Sequence, residues 1–366
     1  MKISVLTCFE SNEERLRFVY DACRSLGFET NAMTSDFSHI RKEKRNSIPD
    51  GFVAIKTSPY KKNLSLQRML SHYKFAKDAF QMIEEQNPDL IWLMAPANSL
   101  ILQAKKYKQK HPNAKIIIDI IDMWPESLPV IISKNIFPFI WWRNIRKKNI
   151  DCCDLLVTEC DLYQEILRKE YKGKIETIRW AREGKDFDNK KIIDDQSLSL
   201  VYIGSINNII DADKIAKIIS AIDMPVVLHV IGEGENTERF LHTVSDVCKV
   251  EYHGAIRDED KKREIFDQCH AGINIYRDGL YIGLTVKCID YFQHGLPIIN
   301  NIKGDTWNLV QVHHAGVNIS DNTIVDAKQL IQMRKNNHNI YKLYNENFTK
   351  EIFTEKCHKV INEVIK

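Results

Sequence analysis

Two groups of residues have the types and spacing for chemistry. The first lies in the run from Gly283 to Ile299, where Lys287 and Asp290 stand three residues apart and Cys288, Ile289 and Phe292 share an apolar face at helical spacing. Thr285 is placed to cap the N-terminus of that helix. Gly295 is placed to end it, and Pro297 keeps it from resuming, so that Ile298 and Ile299 start a strand. The N-terminus of a helix has unpaired backbone N–H groups and the positive end of its dipole, which suits an anion. Lys287 adds a full charge there. The plain alternative is one more helix–strand turn with a surface Lys–Asp pair, and spacing alone does not choose between the two.

The second group is Ile118-Asp119-Ile120-Ile121-Asp122-Met123-Trp124-Pro125-Glu126-Ser127. Acids at the end of an apolar strand are costly unless they are paired or serve a site. Asp122 and Glu126 could both face a ligand. Equally, Trp124-Pro125 could cap a core, with Asp122 in a structural pair.

Elements that position these residues follow from the alternation of apolar runs. Strands are expected at Lys2–Thr7, Gly51–Lys56, Asp89–Met94, Lys115–Ile120, Leu155–Thr158 and Lys174–Ile178, with helices at Glu13–Leu26, Leu66–Glu85, Ser99–Lys110, a broken region 128–149, and Asp161–Tyr171. A second alternating series begins at Leu198–Ile203, continues through Pro225–Ile231, Val250–His253 and Ala271–Tyr276, and places Gly204-Ser205, Gly232 and Gly254-Ala255-Ile256 directly after strands. Small residues there let a ligand approach the backbone. Strand–helix alternation argues α/β, with mostly parallel, doubly wound sheets. At 366 residues the chain is expected to form two domains, residues 1–180 and 181–340, followed by an amphipathic tail, 341–366. Residues 35–65, polar and basic, read as a solvated loop, with an acceptor or membrane loop as the alternative.

Composition is that of a soluble globular protein, 44% hydrophobic and 28% charged, and no run approaches the length of a spanning helix. Nine scattered cysteines suggest reduced thiols in a cytoplasmic protein. No spacing of His, Asp or Cys reads as a metal site, and none is expected. Residues 1–180 hold 29 Lys and Arg against 22 Asp and Glu, and the remainder 23 against 27, a net of about +7 against −4. A basic first half points to an anionic partner, but without a nucleic-acid signature. Residues 130–148 join aliphatic and aromatic residues to Arg143, Arg146, Lys147 and Lys148. That pattern fits peripheral contact with an anionic membrane surface, and a core helix interrupted by Pro138 fits it as well.

Thr285-Val286-Lys287-Cys288-Ile289-Asp290-Tyr291 with Gly295-Leu296-Pro297 resembles the donor-site helix of GT-B glycosyltransferases of family 4, the bacterial surface-polysaccharide type, with Asp for the usual Glu and Thr285 for the usual proline. Asp119 to Ser127 is similar to a second stretch of those enzymes, near the acceptor and the transferred sugar. The resemblance covers most of the chain, best from Lys115 to His314. It implies two Rossmann-like domains facing across a cleft, the last helix crossing back to the first domain, a nucleotide diphosphate sugar (a UDP-sugar favoured), a lipid-linked or other glycan acceptor, retention of configuration, and no divalent metal. It also implies roles: Gly204 and Ser205 by the phosphates, Gly254, Ala255 and Ile256 around the base, Lys287 and the amides of Leu284, Thr285 and Val286 on the diphosphate, Asp290 on the ribose, and Asp122 and Glu126 on the acceptor side. The chain departs from the pattern in two places. The loop after Gly204 has no cation before Lys214, and Ile282 stands where a Glu is usual. These departures favour a non-catalytic GT-B partner of another transferase as the alternative, and a nucleotide-sugar epimerase on the same fold is a third reading.

Overall fold

The computed structural model describes residues 1–128, 134–183, 195–320 and 323–366. Two compact units divide the chain, one formed by Met1–Trp180 with Lys350–Lys366 and the other by Ala181–Thr349.

In the first unit a seven-stranded, all-parallel sheet is built from β1 (Lys2–Leu6), β2 (Glu29–Ser35), β5 (Phe52–Ile55), β6 (Leu90–Ala95), β7 (Lys115–Ile120), β8 (Leu155–Thr158) and β9 (Ile175–Thr177), in the order β5-β2-β1-β6-β7-β8-β9. β3 (Phe37–Ser38) and β4 (Glu43–Lys44) form a small separate hairpin. The central strands are covered on both faces, which is why Leu-Ile-Trp-Leu-Met-Ala of β6 is apolar throughout. Helices α1 (Glu13–Ser25), α2 (Leu66–Gln86), α3 (Asn98–Lys110), α4 (Phe139–Lys147) and α5 (Asp161–Leu167) follow in chain order. Ser65 caps α2 by accepting from the Arg68 N–H at 3.2 Å, and Asn87 ends it in the left-handed region.

In the second unit β10 (Leu198–Ile203), β11 (Val226–Ile231), β12 (Lys249–Gly254), β13 (Ala271–Asn274), β14 (Ile298–Asn300) and β15 (Gly316–Asn318) make a six-stranded parallel sheet, ordered β12-β11-β10-β13-β14-β15. Its helices are α6 (Ala212–Ser220), α7 (Thr237–Ser245), α8 (Glu259–Phe266), α9 (Val286–Gln293), α10 (Asp305–His313), α11 (Ala327–Lys335) and α12 (His338–Asn347). The last helix, α13 (Lys350–Ile365), belongs to the first unit, where it packs on α1 through Phe353, which meets Phe18 edge-on at 5.6 Å. The return to that unit begins at Lys350 rather than at residue 341, because α12 stays against α9.

Three sequence expectations change. β2 was not expected, because Glu-Thr-Asn-Ala-Met-Thr-Ser is too polar to read as a strand, yet it is paired on both sides, by β1 and β5. Residues 35–65 are not simply solvated: Phe37, His39 and Tyr60 are buried, and Arg45 binds the carboxylate of Glu13 at 2.9 Å. The region 128–149 contains a helix only from Phe139, and residues 129–133 lie outside the described residues.

The end of α9 follows its sequence signature. Gly295 adopts φ 63°, its N–H bonds Phe292 O at 3.0 Å, and Leu296 N–H bonds Tyr291 O at 2.9 Å, the paired bonds of a Schellman stop. A Cβ on Gly295 would lie 2.5 Å from Asn337 Nδ2 and 2.7 Å from the Tyr341 ring. Gly295→Ala is expected to cost at least about 1–2 kcal/mol, the penalty of a left-handed L-residue, with crowding added. Urea denaturation of the two proteins side by side measures it, and an unchanged midpoint would contradict the geometry.

Candidate functional site

The C-terminal ends of β10, β12 and β13 in the second unit gather most of the residues singled out in its sequence. Gly204 ends β10, and Lys287 in the first turn of α9 reaches alongside it. A Cβ placed on Gly204 would touch Lys287 Cε at 3.8 Å. The Lys287 ammonium sits over two aromatic faces, 4.2 Å from the Tyr202 ring centre and 4.6 Å from that of Tyr276. Lys287 is only 8% exposed, and its Nζ has no hydrogen-bond partner among the described residues. Ring quadrupoles attract a cation but do not replace the lost water, so burial drives the pKa down to about 7.

Thr285 occupies the N-cap position of α9, but its hydroxyl caps nothing. It donates instead to Asn274 Oδ1 at 2.9 Å. That corrects the expected cap: Cys288 N–H bonds Thr285 O at 3.1 Å, but the N–H groups of Val286 and Lys287 have neither an acceptor nor a side-chain cap among the described residues, beside a buried ammonium. Asn274 is held in turn by a ladder of amides across the strand ends, donating to Asn300 Oδ1 at 2.7 Å while Asn300 donates to Asn318 Oδ1 at 2.7 Å. Helix α9 is pressed onto the sheet at Gly272, where a Cβ would lie 2.6 Å from the Tyr291 ring. The Tyr291 hydroxyl accepts from Ile203 N–H at 3.0 Å, one residue before Gly204.

Asp290 is buried and does not pair with Lys287. It accepts from Arg182 Nε at 2.7 Å, and Arg182 N–H bonds Phe348 O at 2.9 Å. The surface Lys–Asp pair weighed from sequence is therefore absent, and Asp290 is engaged instead by Arg182, 108 residues away in the chain. Gly184, Lys185 and Asp186 lie outside the described residues. Leu284 is buried, Val286 and Ser205 are exposed, and Gly254, Ala255 and Ile256 form the loop leaving β12, Ala255 exposed and Ile256 half-buried. Ile282 packs on the apolar core, and Lys214 is paired with Asp278 at 2.9 Å.

In the first unit the two candidate acids have different fates. Asp122 accepts from Trp124 Nε1 at 2.6 Å and from the Ser127 hydroxyl, and burial raises its pKa. Glu126 is bound by Arg143 at 2.8 Å and by Arg146 at 2.8 and 2.9 Å, while Arg146 also binds Glu170. Its carboxylate thus anchors α4 through two arginines. Asp119 is likewise structural, bidentate with buried Arg15 at 2.8 and 2.9 Å. Sequence reading missed Glu159, just after β8, whose pKa burial and the nearby Asp122 push well above the ordinary range while it accepts from Trp180 Nε1 at 2.5 Å. It missed Arg68 too, whose guanidinium lies 4.5 Å over the Trp124 ring. A charge following the strand-end Thr158 was the available signal for Glu159, and Arg68 gave none.

The Lys287 geometry makes a stability prediction. Below pH 7 the folded protein must hold a buried, unpartnered ammonium, whereas the unfolded chain keeps its lysine protonated to about 10.5. The unfolded state binds more protons between these values, so this group's contribution to stability rises with pH across that window. Lys287→Met, similar in shape and without charge, should raise the melting temperature of the ligand-free protein at pH 6, with the gain shrinking toward pH 10. A destabilised variant at pH 6 would overturn this reading.

No protein-family model matches the chain, and no curated protein matches it. Solved structures do. Sucrose-phosphate synthase from Thermosynechococcus elongatus superposes with a TM-score of 0.73 at 12% identity, over 100% of this chain and 99% of that one. The lipopolysaccharide outer core galactosyltransferase WaaB gives 0.70 at 14% identity, over 99% of each chain. Anabaena HepE, solved in complex with UDP and glucose, gives 0.65 at 10% identity, over 99% of this chain and 100% of that one. At such identities the likeness is one of fold: the chain has the GT-B fold, with two Rossmann-like domains.

Proposed function

We propose that the protein is a retaining glycosyltransferase that moves a sugar from a nucleotide diphosphate sugar, a UDP-sugar by preference, to a lipid-linked or other glycan acceptor. The observation that carries this reading is the unpartnered ammonium of Lys287 beside the uncapped N-terminus of α9. Both lack an anion, and a diphosphate supplies one. As the bond from sugar to diphosphate breaks, negative charge gathers on the leaving phosphate oxygen. A cation and N–H groups already in place stabilise that charge without reorganising. HepE, of the same fold, was solved with UDP-glucose, which supports the choice of donor. The loop Gly254–Ile256 would then border the base and Gly204-Ser205 the phosphates. Asp290, engaged by Arg182, would meet the ribose through its remaining acceptor capacity. Asp122 is the acceptor-side candidate. Retention follows the family resemblance, and no nucleophile is assigned.

The second reading, a non-catalytic partner of another transferase, is favoured by Ile282 on the apolar core and by the pairing of Lys214 with Asp278. Thermal shift with UDP, GDP, TDP and their sugars separates the two. UDP at about 100 times its Kd should stabilise the protein by roughly 2.7 kcal/mol, with the effect abolished in Lys287→Ala. An anion draws the Lys287 pKa back up from about 7, so binding takes up a proton above that pH. UDP affinity of the unaltered protein should accordingly fall about tenfold per pH unit above neutrality. No stabilisation by any nucleotide in a folded sample would favour the partner reading.

Peripheral membrane contact is proposed on narrower grounds. Ile136, Phe137, Ile140 and Trp141 are exposed, Phe137 at 76%, next to Lys147 and Lys148. Arg143 and Arg146 turn inward to Glu126, so the cationic contribution is smaller than the sequence suggested. No described helix is long and apolar enough to cross a membrane. The protein should float with anionic vesicles, and replacing both Phe137 and Trp141 by Glu should weaken that binding at least about tenfold, given about 1.5–3 kcal/mol per buried large apolar side chain. Equal flotation of both proteins would exclude this surface.

A further inference from the structure

Three metal-ligating side chains converge at the edge of the second unit's sheet, on residues that the proposed transfer does not use. His229 lies within β11, on the face opposite Leu228 and Val230, which belong to the apolar core. In register with it on the edge strand β12 is Glu251. The pairing then slips: Val230 is opposite Tyr252 but Ile231 is opposite Gly254, which makes His253 the extra residue of a bulge. Bulges are uncommon between parallel strands and re-aim a side chain. Here the imidazole of His253 comes to lie parallel to that of His229, 3° between the planes, with His253 Nε2 3.1 Å from His229 Nδ1. Glu251 Oε2 lies 3.5 Å from the same Nδ1, and the three ligand atoms fall within 4.8 Å of one another.

We propose that His229 Nδ1, His253 Nε2 and Glu251 Oε2 form a three-ligand site for a divalent transition-metal ion of the zinc class, the fourth position taken by water. The separations fit. Ligands at 2.0–2.2 Å in a tetrahedral shell stand about 3.3 Å apart, between the two distances found. The donor set fits too, since two imidazoles and a carboxylate suit zinc and its neighbours rather than magnesium or calcium. Lys249 holds the other oxygen of Glu251 at 2.8 Å, which orients the carboxylate and leaves Oε2 for the ion. His229 is buried while Glu251 and His253 are half-exposed, so an ion enters from the open edge of β12. The imidazole–imidazole hydrogen bond is the competing use of the same atoms. It accounts for one N–H and one lone pair, but not for the carboxylate aimed at the same nitrogen.

The site uses none of the residues proposed to hold the nucleotide, although His253 directly precedes Gly254, so its test is read by metal binding alone. Isothermal titration of the full chain with Zn²⁺ at pH 7.5 should show about one equivalent bound, and Co²⁺ should give the visible bands of nitrogen–oxygen coordination. His253→Ala and Glu251→Gln, both at half-exposed edge positions, should each weaken Zn²⁺ binding by more than about 100-fold with the circular dichroism unchanged, since even outer-shell changes cost 10- to 100-fold. His242→Ala, on the exposed face of α7, should leave it as it was. Absence of binding, or binding that survives both ligand substitutions, would overturn the proposal.

Discussion

A lysine ammonium held between two tyrosine rings, with no oxygen among the described residues to receive its hydrogens, sets the terms for the second unit. Burying a charge is unfavourable unless something answers it, and two ring faces answer only in part. The position is fixed by groups that have no freedom of their own. Tyr202 is a strand residue whose hydroxyl donates to Ser205 O at 2.9 Å, and Tyr276 follows β13 with its N–H bonded to Asn301 at 2.9 Å. The helix carrying Lys287 is pressed onto Gly272 by Tyr291, whose hydroxyl bonds the strand residue next to Gly204. The ammonium is therefore delivered to the strand ends by backbone geometry rather than by a flexible side chain.

The polar interior around it is spent on position. Asn274, Asn300 and Asn318 stand in register on three adjacent strands and exchange amide hydrogen bonds, which satisfies buried groups and removes the hydroxyl of Thr285 from the N-cap position. Arg182 and Asp290 neutralise each other within the same unit. Among the described residues, the Lys287 ammonium and the first two N–H groups of α9 are left without an acceptor, both of one sign. In the first unit the balance is different. Arg15 with Asp119, and Arg146 with Glu126 and Glu170, are closed pairs, and such pairs fix elements in place. Asp122 and Glu159 are the acids there whose pKa values burial raises.

The sheet edge follows a third pattern. Along β11 and β12 the strand period puts His229 and Glu251 on one face, and a single extra residue brings His253 to the same point. Polar side chains on an edge strand also discourage pairing with another sheet, so the positions have a structural use whatever they bind.

By itself the sequence determined the two alternating series of parallel strands, since runs such as Leu-Ile-Trp-Leu-Met-Ala and Lys-Ile-Ile-Ile-Asp-Ile have no soluble alternative to a sheet covered on both faces. It determined the helix from Val286 and its stop at Gly295, because an apolar helical period and a left-handed glycine are local signals. It also singled out Lys287 by its place beside a helix start. Only the tertiary structure decided what each charge does. Asp290 meets Arg182 across 108 residues, Asp119 meets Arg15 across 104, and Glu126 meets Arg146 across 20, and no local spacing records such partners. The same holds for His229, 24 residues from His253, which adjacent strands and one bulge bring to 3.1 Å. Spacing reveals partners that share a helix turn or a strand face, whereas the burial and pairing that set a charge's role depend on which strands lie side by side.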